Sequence, residues 1–170
     1  MHKEHKHILK NIHTCIVINS NPENIWRNIT IVEIEKFSDP ILFRILDIPK
    51  PLKAEVLSEG VGGKRIAYFD SGKRFIQEIL IWRPFEEYSF SFNPEKGFKV
   101  GYFFDLSSGI FQILEGSYRL TDLGSSTTLT LNTTYSIDKS YYFLLNIPVK
   151  IILKIFQRYL LTSIKRNTEK

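Results

Sequence analysis

Residues 140–167 read SYYFLLNIPVKIILKIFQRYLLTSIKRN and carry the clearest helical periodicity in the chain. From Val149 onward, apolar side chains recur at spacings of three and four residues, while the basic side chains fall on another face. This pattern predicts one long amphipathic helix. Because Pro148 cannot donate a helical hydrogen bond, the helix either kinks there or restarts with Asn146 as its cap.

A series of alternating segments precedes this helix and predicts an antiparallel meander. Apolar and polar residues alternate within each segment, and glycine or proline occurs in most of the turns between them. The predicted strands are residues 11–19, 53–59, 64–69, 73–82, 88–92, 110–121 and 127–137. The segment between 93 and 109 receives no predicted element.

Two short helices are predicted after the first strand. Asn21 or Ser20 can cap the first of them, Pro22 suits its first position, and Glu23 suits its positive end. The second helix is predicted at about residues 39–46, before a stretch that contains two prolines.

Composition limits the class of protein. A chain of 170 residues fits one domain around a single core, and an aromatic share of 14% argues against disorder beyond the ends. A net charge of +5 suits nucleic acid or anionic lipid, but the basic residues are scattered and are not interleaved with aromatics as in an RNA-binding strand. We therefore expect no nucleic-acid partner.

The N-terminal residues predict a flexible tail at 1–10, followed by a single domain at 11–170. The tail lacks the apolar core of a signal peptide, and no stretch has the roughly 18 apolar residues of a membrane-spanning helix. Cys15 is the single cysteine, so it cannot form an internal disulfide, and its apolar neighbours predict a small buried side chain. We expect a cytoplasmic protein.

The order of these elements resembles the START-like, or SRPBCC, superfamily with its Bet v 1-like helix-grip fold, and within it the polyketide cyclase/dehydrase-like branch. The resemblance spans nearly the whole chain, and it depends on the order of several short motifs. These motifs are Asn21-Pro22-Glu23-Asn24-Ile25-Trp26, Phe75-Ile76-Gln77-Glu78-Ile79 with Trp82-Arg83-Pro84, Gly116-Ser117-Tyr118-Arg119-Leu120, and Leu161 to Glu169.

The resemblance implies an α+β fold in which a curved antiparallel sheet wraps around the long C-terminal helix, with residues 11–170 as one START-like/SRPBCC domain. It also implies a hydrophobic tunnel between sheet and helix, which different members use for lipids, sterols, quinones, plant hormones or polyketides. It supplies no shared catalytic residues, and a fold alone does not establish an activity.

Three functions follow as hypotheses. The first is binding or transport of a small hydrophobic ligand such as a lipid, quinone or polyketide-like molecule. The second is a cyclase/dehydratase-type enzyme in which Glu78 or a tyrosine moves a proton. The third is a membrane-docking lipid-transfer protein, for which the basic residues Lys150, Lys154 and Arg158 provide the charge.

Strand alternation predicts the cavity wall. Glu78 shares its face with Leu80 and Trp82, which favours an inward carboxylate; the alternative is an outward carboxylate paired with Arg74 or Lys73. A slip of one residue would reverse every such assignment. The predicted ligand-binding residues are Glu78, Leu80, Trp82, Tyr88, Phe90, Phe92, Tyr118, Leu129, Leu131, Tyr135, Ile152, Phe156 and Tyr159.

Tyr118 and Tyr135 can each orient a ligand by one hydrogen bond, or can hold their hydroxyls in water above the core. Alternation places Glu115 on the strand face opposite Tyr118. Membrane contact, if it occurs, is expected from loops 48–52 or 98–104, because the apolar helix face packs on the sheet.

The histidines near the N-terminus are expected to belong to the tail, because no nearby residues complete a metal site around His2, His5 and His7. His13 is expected to be structural or exposed. We find no triad order and no phosphate-binding glycine pattern, so we expect no metal and no cofactor. The oligomeric state is expected to be a monomer or a homodimer.

Overall fold

The computed structural model describes residues 6–34, 37–38, 40–94, 97–100, 104–106 and 109–170. The strands are β1 (His7–Ile18), β2 (Ile31–Glu33), β3 (Pro51–Val56), β4 (Lys64–Phe69), β5 (Arg74–Arg83), β6 (Glu87–Ser91), β7 (Asn93–Pro94), β8 (Lys99–Val100), β9 (Phe104–Asp105), β10 (Phe111–Asp122) and β11 (Thr127–Asp138). The helices are α1 (Pro22–Thr30), α2 (Ile41–Ile45) and α3 (Tyr142–Thr168).

The main sheet is antiparallel and has the strand order β1-β11-β10-β6-β5-β4-β3-β2, with β7 paired beside β5. It curls into a half-barrel around the long helix α3. Strands β8 and β9 form a separate two-stranded ribbon. The predicted fold class, a curved sheet wrapped around a C-terminal helix with two short helices after the first strand, is therefore confirmed.

Helix α3 runs without interruption through Pro148, so the predicted restart at Asn146 is wrong. Leu145, Val149 and Leu153 lie four residues apart and are buried toward the sheet. Within the described residues, none of the helices has the combination of length and apolarity that crossing a bilayer requires.

Gln157 fixes α3 to the sheet by a buried polar network. Its side-chain amide donates to the Ile12 carbonyl at 3.1 Å and to Thr133 Oγ1 at 2.9 Å, and its oxygen accepts from Thr14 Oγ1 at 2.8 Å. Because each of these groups has a partner, the hydrogen bonds offset the cost of burying them and hold α3 at one height on β1 and β11.

Helix α1 packs against α3 and against strands of the sheet. The Asn21 side chain accepts a hydrogen bond from the Asn24 backbone at 2.9 Å, which confirms the predicted cap. Trp26 packs edge-to-face on Trp82 with ring centroids 5.1 Å apart, and the Tyr88 hydroxyl donates to the Ile29 carbonyl at 2.5 Å. The sheet and α1 are thus joined by aromatic packing and a buried hydrogen bond.

Strand β1 differs from its prediction in two respects. It begins at His7, because residues 7–10 pair with β11, where the sequence predicted a flexible tail. Cys15 is exposed, and the prediction of a buried thiol is wrong. Ile12 and Ile18 take the buried face of this strand, so alternation places Cys15 on the outer face with His13.

Candidate functional site

A cavity of about 150 Å³ lies between α3 and the concave face of the sheet. Strands β3, β4, β5, β6, β10 and β11 supply one wall, and the middle of α3 supplies the other. Most of the lining is aliphatic or aromatic. The apolar lining residues include Phe69, Phe75, Phe90, Phe92, Leu131, Leu153 and Phe156.

The size of the cavity restricts what it can hold. An engineered apolar cavity of about 150 Å³ in another protein binds benzene, whereas sites for drug-sized ligands occupy roughly 300–1,000 Å³. The present cavity therefore matches a group of about one aromatic ring. A larger molecule requires the walls to move or must leave part of itself outside.

Two of the residues that line the cavity are exposed, Pro148 of α3 and Lys53 of β3, and we infer that the cavity opens to solvent beside them. The Lys53 ammonium lies 2.9 Å from a Glu55 carboxylate oxygen. This hydrogen-bonded ion pair raises the pKa of Lys53, so the amine stays charged beside the opening. The remainder of the lining is buried or half-buried.

Arg65 introduces a positive charge into this otherwise apolar space. Arg65 is only 5% exposed, and its guanidinium carbon lies 4.3 Å from the centroid of the Phe90 ring. Arg65 stands opposite Gln77 in the β4–β5 register and donates from NH1 to the Gln77 side-chain oxygen. Both residues line the cavity.

The Tyr118 ring lines the same cavity and packs against Phe90 with centroids 6.1 Å apart. Burial raises the pKa of the Tyr118 phenol far above its ordinary value, and the neighbouring Tyr88 adds to the shift. Burial also raises the pKa of Tyr88, while the Arg65 guanidinium opposes part of that change. Both phenols are therefore neutral at physiological pH. Tyr88 already donates its proton to the Ile29 carbonyl, whereas Tyr118 can donate a hydrogen bond in the cavity wall.

Gly116 of β10 makes room for the aromatic wall. A Cβ atom at this position would lie 2.8 Å from Phe90 Cε2 and 3.0 Å from Phe92 Cε2. These distances are shorter than van der Waals contact, so the two rings occupy their positions only because residue 116 has no side chain.

Solved structures with the same architecture cover almost the whole chain. An X-ray structure of a Chromobacterium violaceum protein matches with a TM-score of 0.57 and 16% identity, covering 94% of this chain and 97% of that one. The structure of Ara h 8.0201 matches with a TM-score of 0.60 and 11% identity over 94% and 97% of the two chains. Truncated norcoclaurine synthase from Thalictrum flavum matches with a TM-score of 0.58 and 14% identity over 96% of each chain.

This chain has the Bet v 1-like helix-grip fold. Neither a scan against protein-family models nor a search of curated proteins gave a match. At identities below 20%, the structural likeness establishes the fold and no activity. The polyketide cyclase/dehydrase-like branch stays a prediction.

Within this Bet v 1-like fold, part of the predicted cavity wall lines the cavity. Five of them come from β6, β10, β11 and α3, and Phe92 directly follows β6; alternation or helical spacing left one clearly apolar face in these segments. They are Phe90, Phe92, Tyr118, Leu131, Ile152 and Phe156.

Five other predicted residues point inward but fill the core beside the cavity. Trp82 and Tyr88 pack against Trp26 of α1. The Tyr159 hydroxyl donates to the Phe37 carbonyl at 3.3 Å, and its ring packs on Phe43. The residues absent from the lining are Trp82, Tyr88, Leu129, Tyr135 and Tyr159.

The inward prediction for Glu78 and Leu80 is wrong. Glu78 is on the outer face, and its carboxylate lies 3.0 Å from the Lys64 ammonium, with both side chains about half exposed. Leu80 is also exposed. Phe75, Gln77 and Ile79 take the inner face of β5, and the cavity lining contains no Asp or Glu among the described residues.

Strand β5 misled the prediction because both of its faces are rich in apolar residues. In addition, a register shift between Ile79 and Ile81 reverses the alternation, so that Trp82 returns to the inner face although Glu78 lies outside. One signal was available: the face of Phe75, Gln77 and Ile79 carries no charge, whereas the opposite face carries Arg74 and Glu78.

Sequence reasoning also missed Arg65 and Gln77. An arginine next to Lys64 in an alternating strand is usually solvated, so its inward direction became evident only from the pairing with β5. Glu115 lies at a second bulge in β10 and does not line the cavity. No cluster of three metal-ligating side chains occurs among the described residues; His7 and His13 are exposed, and His2 and His5 lie outside that part of the chain.

Proposed function

We propose that this protein binds a small hydrophobic molecule, of about one aromatic ring, in the cavity between the sheet and α3. The observation that carries the proposal is the apolar cavity itself. Well-packed cores leave few voids larger than a water molecule, so an apolar space of about 150 Å³ beneath the central helix is unusual for a purely structural core. Its opening beside Pro148 and Lys53 offers a route of entry.

A structure with the same fold supports a ligand of this size. Norcoclaurine synthase from Thalictrum flavum has been solved in complex with dopamine and hydroxybenzaldehyde, each of which contains one ring; it aligns with a TM-score of 0.53 and 15% identity, covering 94% of this chain and 86% of that one. The present chain shares the architecture, and its cavity of about 150 Å³ suits one ring of this kind.

Binding or transport is favoured over a cyclase or dehydratase reaction. A general base must be able to release and accept a proton near the working pH. The outward position of Glu78 removes the predicted carboxylate, and the raised pKa of Tyr118 makes its phenol a donor of hydrogen bonds rather than a base. The described cavity lining thus offers groups that hold a ligand but no carboxylate or histidine to move a proton.

Native mass spectrometry of the protein from its own organism tests this proposal. We expect an added mass that disappears on denaturation. Ala67 lines the cavity from β4, so Ala67→Leu should fill the space and abolish the added mass, whereas Thr121→Leu at an exposed strand position should retain it. A mass retained equally by both variants would place the ligand elsewhere and contradict the proposal.

Membrane docking is a second candidate function, favoured by an exposed apolar face at the start of α3. We define this docking face as Phe143, Leu144, Ile147 and Ile151, which are 99%, 72%, 66% and 52% exposed. Their spacing places them on the side opposite the buried Leu145 and Val149. The loop residues expected to make such contact are less suitable, since Ile48 and Phe98 are buried.

The charge around the docking face complements an anionic bilayer. From Lys139 to Thr168 the chain contains no Asp or Glu. Its basic residues over that range are Lys139, Lys150, Lys154, Arg158, Lys165 and Arg166. Lys154 is engaged with the His13 carbonyl of β1, so Lys139 and Lys150, both exposed, are better placed than Lys154 to meet lipid head groups. Docking would also bring the cavity opening at Pro148 close to the membrane.

Co-sedimentation with phosphatidylserine vesicles tests this second function. We expect binding that weakens with salt, falls strongly in Phe143→Ser/Ile147→Ser, and falls partly in Lys139→Gln/Lys150→Gln but not in the control Lys73→Gln/Lys99→Gln. Absence of binding at low salt would contradict membrane docking. A dimer in sedimentation analysis that Phe143→Ser dissociates would instead assign the face to a second copy of the chain.

A further inference from the structure

We infer that the cavity selects a hydrophobic carboxylic acid, with its carboxylate held by Arg65 and Gln77. This inference rests on the proposed function and adds the chemical class of the ligand. It starts from an electrostatic imbalance: the ion pairs among the described residues do not include Arg65, and the described lining contains no carboxylate.

Two buried hydrogen-bond donors at this point have no acceptor. Arg65 Nε and Gln77 Nε2 are both inaccessible to solvent and lack a partner among the described residues. Gln77 is 1% exposed, and its oxygen is already used by the Arg65 guanidinium. Unpaired buried donors are rare in native proteins, and each such group calls for an explanation.

A carboxylate supplies what these groups lack. It offers two acceptor oxygens and a negative charge, which match a guanidinium edge and the adjacent amide. The Phe90 ring under the guanidinium holds it by a cation–π contact and keeps it from the surface. The unbalanced charge is costly in an apolar space, so pairing it with a ligand carboxylate recovers that cost.

The apolar part of the cavity limits the size of the ligand's hydrophobic group. The apolar walls and the volume of about 150 Å³ suit one ring with a short linker to the acid group. A phosphate ester fits less well, because Arg65 is the one guanidinium in the described lining and the Lys53 ammonium is already paired with Glu55, which leaves the second negative charge without a partner. The predicted class is therefore an aryl or arylalkanoic acid.

Calorimetric titration with phenylacetate and 2-phenylethanol at neutral pH tests the inference. These probes share the ring and differ in the head group. We expect the wild-type protein to bind phenylacetate at least about tenfold more tightly, since hydrogen bonds to charged groups exceed neutral ones by about that factor. Equal affinities, or a preference for the alcohol, would overturn the carboxylate inference but leave the proposed apolar binding intact. Absence of binding by both probes would contradict the inference and the proposed function.

Variants assign the preference to Arg65. Arg65→Met should lose the preference for phenylacetate over 2-phenylethanol, measured as the ratio of the two affinities, and Arg65→Lys should retain part of that preference. Arg44→Met, at an exposed arginine of α2, is the matched control and should keep the full preference. Full preference in a folded Arg65→Met protein would overturn the assignment. If this variant fails to fold, the wild-type comparison and Gln77→Leu, expected to weaken phenylacetate selectively, still decide the inference.

Discussion

Arg65 and Gln77 face each other across β4 and β5, and the guanidinium donates to the side-chain amide oxygen inside the core. Gln77→Leu removes this acceptor and leaves the buried Arg65 guanidinium with one hydrogen bond fewer. We therefore predict a loss of about 1–3 kcal/mol in the free energy of unfolding. The double variant Arg65→Met/Gln77→Leu removes both polar groups and should recover most of the loss. Urea denaturation of both variants measures the effect; a double variant as unstable as Gln77→Leu would contradict it.

Gly116 allows Phe90 and Phe92 to pack against β10, and this contact yields a second prediction. Gly116→Ala places a methyl group 2.8 Å from Phe90 Cε2, and the resulting displacement of the rings should cost about 1–3 kcal/mol. Thermal unfolding of Gly116→Ala measures this loss of stability. Ser117→Ala, at the neighbouring half-buried position, is the control. Equal stability of the two variants would show that the rings move freely.

Stability at alkaline pH should reflect the buried phenols. The pKa of Tyr88 and that of Tyr118 are raised by burial above the ordinary value of 10.0, which the unfolded chain retains. Above about pH 10, the unfolded state therefore loses protons that the folded state keeps, and the free energy of unfolding falls as pH rises. Below that pH, these groups give no pH dependence.

Urea unfolding at about pH 8 and pH 11 tests this dependence for single variants. Tyr118→Phe should show a smaller alkaline loss than the wild type, whereas Tyr141→Phe, at an exposed position, should show the wild-type loss. The same alkaline loss in all three proteins would mean that Tyr118 is not responsible.

The outward position of Glu78 predicts that its charge is dispensable. Exposed ion pairs contribute little, so Glu78→Gln should change the free energy of unfolding by no more than about 0.5 kcal/mol and should leave 2-phenylethanol affinity unchanged. Lys64→Gln removes the partner of Glu78 in this ion pair and should likewise change neither the free energy of unfolding nor the affinity for 2-phenylethanol by more than these limits. A selective loss of ligand binding in Glu78→Gln would restore Glu78 to the cavity.

The sequence predicted the fold well because its signals are local and strong. The spacing in α3 defines a helix whose Leu145, Val149 and Leu153 are buried, and Asn21 with Pro22 marks the start of α1. In β10 and β11, one apolar face alternates with one polar face, so the inward direction of Tyr118 and Leu131 could be predicted.

The cavity was less predictable because its polar residues depend on pairing between strands. Both faces of β5 are rich in apolar residues, and the bulge near Ile79 changes which face points inward. Phe98, in the segment without a predicted element, is buried by rings distant in sequence, Phe69 and Phe75, with centroid distances of 5.1 Å and 4.4 Å. No local pattern encodes such contacts.

Nuclear Overhauser contacts between 2-phenylethanol and methyl-labelled protein would locate the bound ring within the fold. A bound ring in the cavity should contact the methyl groups of Leu131 and Leu153, which line it from the sheet and from α3, and these contacts should vanish in Ala67→Leu. Contacts confined to Leu144 and Ile147 on the outer surface of α3, or contacts that persist unchanged in Ala67→Leu, would contradict a ligand site between the sheet and the helix.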